Sequence, residues 1–63
     1  MPFVIIRMYK GHSQERKQKI AERIAEAIHE IAEVPKEYVQ IVFEDIPPNQ
    51  WAVGGKLDDR ETI

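Results

Sequence analysis

Sixty-three residues allow one domain, and a chain this short buries only about 60% of the surface its unfolded form exposes. With no cysteine, disulfides and thiolate metal sites are excluded, and His12 and His29 are too far apart in sequence for a local ligand pair, which leaves oligomerisation as the route to stability. A net charge of −2 with both signs interspersed gives no basic footprint for nucleic acid, and no apolar run approaches the ~20 residues of a membrane span.

No signal-peptide pattern precedes the first element, so a cytoplasmic protein is the expectation. Residues 2–9 read as a β-strand: Phe3, Val4, Ile5, Ile6 and Tyr9 are β-branched or aromatic, and Arg7 is the one charge. A strand with one wet face alternates, whereas this one is apolar on both faces. The chain's own helix can cover one face; the other calls for a neighbouring subunit.

Lys10-Gly11-His12 is a short loop, and Ser13 is placed to cap a helix, with Glu15 in the first turn. The helix runs to about Glu33, because Ile20, Ile24, Ala27, Ile28 and Ile31 recur at helical spacing and Ala21, Ala25 and Ala32 widen the stripe. Lys17, Glu22, Arg23, Glu26, Glu30 and Glu33 make the solvated face, and His29 sits among them without an evident role. Pro35 ends the helix by Val34, since the residue before a proline avoids the α conformation.

Tyr38–Glu44 reads as the second strand, with Val39, Ile41 and Phe43 on one side and Tyr38, Gln40, Val42 and Glu44 on the other. Strand, long helix, strand is a βαβ unit, so the strands are expected to run parallel through a right-handed crossover. Ile46–Gln50, with Pro47 and Pro48, is a rigid connection; Trp51–Leu57 is a short extended piece whose Gly54-Gly55 pair marks a hairpin turn. The tail from Asp58 to Ile63 reads as polar and loose. The fold class is therefore α/β (α+β), a small β-α-β subunit plus a C-terminal hairpin, completed by oligomerisation. Two such units side by side give a four-stranded sheet with both helices on one face, and its bare face calls for an assembly larger than a dimer.

The start Pro2-Phe3-Val4, the loop Lys10-Gly11-His12-Ser13, the single amphipathic helix followed by Pro35, and the end Trp51-Ala52-Val53-Gly54-Gly55 together resemble the 4-oxalocrotonate tautomerase family over almost the whole chain. The resemblance implies a βαβ subunit paired into dimers and assembled commonly as a homohexamer, a trimer of dimers. It also implies an N-terminal proline as catalytic base, with no metal or organic cofactor. Initiator methionine before proline is normally removed, which would leave Pro2 as a free secondary amine. Trp51 matches the aromatic residue of the family's pocket, and Tyr9 and Val53 fall at other pocket-lining places. Two positions depart: where the family typically carries arginines, this chain has His12 and Gln40. Both arginines that would grip a dicarboxylate are absent, which counts against 4-oxalocrotonate itself as the substrate.

A base that moves a proton between the atoms of an enol is most useful when poised near neutrality, and an ordinary α-amino group titrates near ~8. Burial in an apolar pocket beside cations favours the neutral form of such an amine. The bland alternative is that Pro2 only begins a strand, where its missing N–H is harmless. His12 can donate to a substrate oxygen or sit exposed; Gln40 can donate without neutralising charge or bond within the protein. Trp51 serves equally as a wall for a flat substrate or as an interface anchor. Arg7, Lys10, Lys36 and Arg60 are candidates for a relocated carboxylate grip, or plain surface charges. The leading functional reading is a cofactor-independent isomerase acting on a small unsaturated 2-oxo acid. The alternatives are hydration, dehalogenation or decarboxylation on the same scaffold, or a non-catalytic oligomeric binding protein.

Overall fold

The computed structural model describes residues 1–58, and its first strand, β1, spans Phe3–Tyr9. The helix α1 follows at Gln14–Ala32, then a 3-10 turn at Lys36–Tyr38, the second strand β2 at Gln40–Ile46, a second 3-10 turn at Pro48–Gln50, and a hairpin of β3 (Ala52–Val53) and β4 (Lys56–Leu57). β1 and β2 pair in parallel, in a register that sets Phe3 beside Gln40, Arg7 beside Glu44 and Tyr9 beside Ile46. This is the expected βαβ unit with a C-terminal hairpin. The loose tail and the Arg60 alternative lie outside the described residues, apart from Asp58, whose N–H donates to the Trp51 carbonyl at 2.9 Å.

The helix begins where its cap chemistry says it must. Ser13 has extended backbone and its hydroxyl accepts from the Arg16 N–H at 3.2 Å. It stops at Ala32, two residues before Val34, because Glu33 turns into the left-handed region at φ 59°. His29 is not idle: its Nδ1 lies 2.7 Å from the Val34 carbonyl oxygen and ties the exit turn to the last helical turn. Lys17, read as solvated, instead reaches the sheet and pairs with Asp45 at 2.5 Å, its side chain only 16% exposed. Ile31 leaves the apolar stripe uncovered at 83% exposure, on a flank of α1 that this protomer does not pack.

β2 starts two residues later than Tyr38, since Pro35 opens a 3-10 turn in which Tyr38 N–H bonds the Pro35 carbonyl at 3.0 Å. It continues through Asp45 and Ile46 until Pro47, which has no N–H for the ladder. In the hairpin Gly54 and Gly55 both take positive φ, 62° and 83°, the two-residue turn that only residues without a Cβ adopt freely.

Val4, Ile6 and Met8 of β1 and Ile41 and Phe43 of β2 are half-buried on the helix side of the sheet. The far side is open: Phe3 is 60%, Ile5 47% and Val42 41% exposed. Among the described residues no hydrophobic side chain is fully buried, and Pro48 is the one residue in the buried class. The radius of gyration, 14.6 Å, exceeds the ~11 Å expected of a self-contained chain of this length. A single protomer therefore has a helix-facing layer of half-buried residues and no interior.

Candidate active site

Pro2 lies one residue ahead of β1, and its carbonyl accepts from the Gln40 N–H at 3.0 Å. That bond places Pro2 and Gln40 together at the N-terminal end of the parallel pair. Met1 is 82% exposed, and while it is attached the Pro2 nitrogen is a tertiary amide without a basic lone pair. The pyrrolidine nitrogen becomes chemically useful only when that peptide bond is gone.

Tyr9, Trp51 and His12 gather at the opposite end. The Lys10 N–H bonds the Ile46 carbonyl at 2.9 Å, closing the C-terminal end of the sheet, and the turn Pro48–Gln50 swings the chain back over it. Trp51 then stacks on Tyr9 with ring centroids 4.3 Å apart and planes inclined by 22°. The stack explains why the exposure pattern of β1, open at Phe3, Ile5 and Arg7, breaks at Tyr9. His12 is half-buried in the loop between β1 and α1, whereas Val53 stands 73% exposed on the hairpin.

Seven residues of strand at ~3.3 Å each put the Pro2 end and the Trp51 end roughly 23 Å apart. One protomer thus brings Pro2 to Gln40 and brings Tyr9 to Trp51, but does not bring the two groups to each other. A shallow depression lined by Glu22, Arg23, Glu26, Ala27, Glu30 and Lys36 follows the helix and includes none of the candidate residues. Its walls carry charges on a solvated helix flank.

Three of the chain's cations are committed to partners. Arg7 Nε donates to Glu44 Oε1 at 2.8 Å, Lys17 pairs with Asp45, and Lys36 pairs with Glu26 at 2.8 Å. The hydrogen bond from Lys36, with its charge, holds the Glu26 carboxyl below the usual carboxylate range and raises Lys36 in return. Arg7 and Lys36 are therefore engaged, and among the described residues considered as carboxylate grips only Lys10, exposed beside Tyr9, lies at the aromatic end. Among the described residues no cluster of His, Asp or Glu suits a metal ion, and no helix is long and apolar enough to cross a membrane.

Sequence reasoning missed the Lys17–Asp45 and Arg7–Glu44 pairs. The second had a signal: Arg7 is the one charge of its strand, and the parallel register carries Glu44 beside it.

The sequence model of the tautomerase enzyme family matches residues 2–59. A probable tautomerase of Bacillus cereus is 36% identical over 61 residues, covering 95% of this chain and all of the relative. A probable tautomerase of Streptococcus agalactiae is 37% identical over 57 residues, 90% of this chain and 95% of its own. Among solved structures, a 4-oxalocrotonate tautomerase isozyme of Methylibium petroleiphilum superimposes with a TM-score of 0.84 at 32% identity, covering 90% of this chain and 92% of that one. The heterohexameric 4-oxalocrotonate tautomerase of Chloroflexus aurantiacus does so with a TM-score of 0.82 at 33% identity, covering 87% and 89%. With this fold, a proline at position 2 and a match across nearly the whole length, the chain belongs to the tautomerase family.

Proposed function

We propose that the protein is a tautomerase in which Pro2, freed of Met1, shuttles a proton on a small unsaturated 2-oxo acid, in a site shared between subunits of a homo-oligomer, a hexamer as in the family. The observation that carries this reading is the distance between the two groups of candidate residues. Pro2 and Gln40 stand at one end of β1, and Tyr9, His12 and Trp51 stand at the other. A second copy that places its aromatic end against this Pro2 completes one pocket without moving any element. The open sheet face and the lack of an interior support such an assembly.

The Pro2 nitrogen takes the proton of the enol hydroxyl. The electron pair moves through the conjugated chain, a C=O bond forms, and the carbon at the far end of the system takes a proton back from the Pro2 ammonium. Negative charge on the oxygen is met by donors, the Gln40 amide and the His12 ring. Tyr9 and Trp51 offer a flat apolar wall against the conjugated plane and exclude water, which favours the neutral amine. Neither Gln40 nor His12 provides the fixed forked charge of an arginine, so a monocarboxylate such as phenylenolpyruvate suits the site better than a dicarboxylate.

Intersubunit complementation tests the shared site. Pro2→Ala and Trp51→Ala homo-oligomers are each expected to turn over phenylenolpyruvate poorly. Subunits dissociated together and reassembled as mixtures should recover activity above the sum of the parents, because some pockets then hold both native residues. Mixtures that assemble and recover nothing would overturn the shared pocket. An intact mass that still includes Met1 in active protein would remove Pro2 as the base.

A further inference from the structure

The loop between β1 and α1 is tied at both ends to neighbouring residues at the end of β2. The Lys10 N–H donates to the Ile46 carbonyl at 2.9 Å, and the Lys17 ammonium, in the first turn of α1, donates to Asp45 Oδ2 at 2.5 Å. The Lys17 backbone N–H also bonds the Ser13 carbonyl at 3.1 Å, which joins its residue firmly to the helix cap. Between the ties lie Gly11, at φ 125°, and His12. Glycine takes that φ with little strain, so Gly11 is the point about which the loop can pivot.

His12 is half-buried, yet its ring makes no hydrogen bond among the described residues. The ring therefore takes its position from the backbone that carries it. The Lys17–Asp45 pair holds that backbone, with side chains 16% and 35% exposed. A pair drawn out of water in this way gains little stability over an apolar replacement of the same shape. What a short charge-assisted bond does supply is a fixed separation, here between the first turn of α1 and the end of β2. The partners are 28 residues apart in sequence, so that separation exists only once the helix lies on the sheet.

We propose that Lys17 and Asp45 are positioning residues: they hold the loop from Lys10 to Ser13 so that His12 presents its ring to an oxygen of a bound 2-oxo acid. Neither touches the substrate; both act through His12. A small misplacement of a donor weakens the contact it makes, because hydrogen bonds fall off steeply with distance and angle. That role rests on the reading of His12 as an oxygen donor given above, and not on proton transfer by Pro2. A chain that binds a 2-oxo acid without turning it over leaves the brace standing and removes the catalytic proposal.

The test is a double-mutant cycle on the affinity for phenylpyruvate, read from the fluorescence of Trp51, the single tryptophan. Lys17→Met keeps the apolar stem and removes the charge, and Asp45→Asn loosens the pair from the other side. Each is expected to weaken binding about fivefold, and His12→Ala roughly tenfold. In the His12→Ala background Lys17→Met should cost less than about twofold, because the group it positions is gone. Lys17→Arg, which still reaches a carboxylate, should recover most of the affinity. With phenylenolpyruvate the loss should fall on KM and leave kcat within about twofold. Backbone order parameters at Gly11 and His12 should drop from about 0.85 towards about 0.6 in Lys17→Met while those of the strands hold. Losses from Lys17→Met and His12→Ala that add in full would overturn the proposal, as would unchanged order at Gly11 and His12. A His12→Ala chain that binds as tightly as the native one overturns it too, since the pair then has nothing to act through. If Lys17→Met fails to fold, Asp45→Asn runs the same cycle with the same outcomes.

Discussion

Trp51 lies flat on Tyr9, centroids 4.3 Å apart, although one residue ends the first strand and the other opens the C-terminal hairpin. The contact pins the hairpin to the sheet, while the Asp58 N–H bond to the Trp51 carbonyl closes the hairpin on itself. It also sets an aromatic surface at the end of the sheet that faces away from Pro2. Offset aromatic pairs contribute about 1 kcal/mol beyond the area they bury. Trp51→Ala is therefore expected to lower unfolding stability by at least that much at fixed protein concentration and to raise KM, while Trp51→Phe retains most of both. Trp51 is the single tryptophan of the chain, so its fluorescence should report substrate directly.

Pro2→Ala replaces the ring amine with a primary one at the same place. General-base groups contribute roughly 100-fold or more to rate, and a comparable fall in kcat is expected with the sedimentation profile unchanged. Steady-state kinetics beside sedimentation checks it; undiminished kcat would take Pro2 out of the mechanism.

Gln40→Arg restores a forked cation at the Pro2 end. The ratio of kcat/KM for 2-hydroxymuconate over phenylenolpyruvate should rise by roughly tenfold or more, since a bidentate guanidinium–carboxylate contact is stronger than an amide one. A ratio that does not move would place the substrate carboxylate away from Gln40.

Glu33 holds φ 59° at the end of α1, a conformation that costs an L-residue about 1 kcal/mol and glycine almost nothing. Glu33→Gly should raise stability by about 0.5 kcal/mol after glycine's extra chain entropy is subtracted. Ser13→Ala at the other end removes the acceptor for the Arg16 N–H and should cost about 1 kcal/mol. Denaturant midpoints measured at one protein concentration decide both.

The Glu26–Lys36 pair gives a pH window. Glu26 titrates below its ordinary 4.5 because Lys36 hydrogen-bonds and attracts it, so its contribution is complete above that value and is lost as pH falls through the lowered one. Lys36 is raised above its ordinary 10.5, so its contribution is complete below that value and fades as pH rises through the raised one. Both groups are about half exposed and the effect is small. Glu26→Gln should flatten the difference in thermal midpoint between pH 7 and pH 3 relative to the native chain, and leave the profile around neutrality parallel to it.

Local chemistry made much of this protein readable from its residues. Ser13, the isoleucine spacing of α1, Pro35 and Gly54-Gly55 act over a few bonds, through capping, periodicity and backbone sterics, and each element they mark is present. The same signals misplaced Tyr38, Lys17 and Ile31. The turn after Pro35, the reach of Lys17 to Asp45 and the uncovered flank of α1 depend on how the helix lies on the sheet, which no local spacing encodes. The family's proline and aromatic were also legible as residues. Their distribution to opposite ends of a seven-residue strand was not, because it follows from the parallel register of β1 with β2 and from the turn that carries Trp51 back. Sequence by itself determined which elements form and which groups are candidates for the chemistry. The tertiary structure alone decided that one protomer holds those groups in two halves, since contacts between distant residues, rather than local propensity, set where strand ends lie.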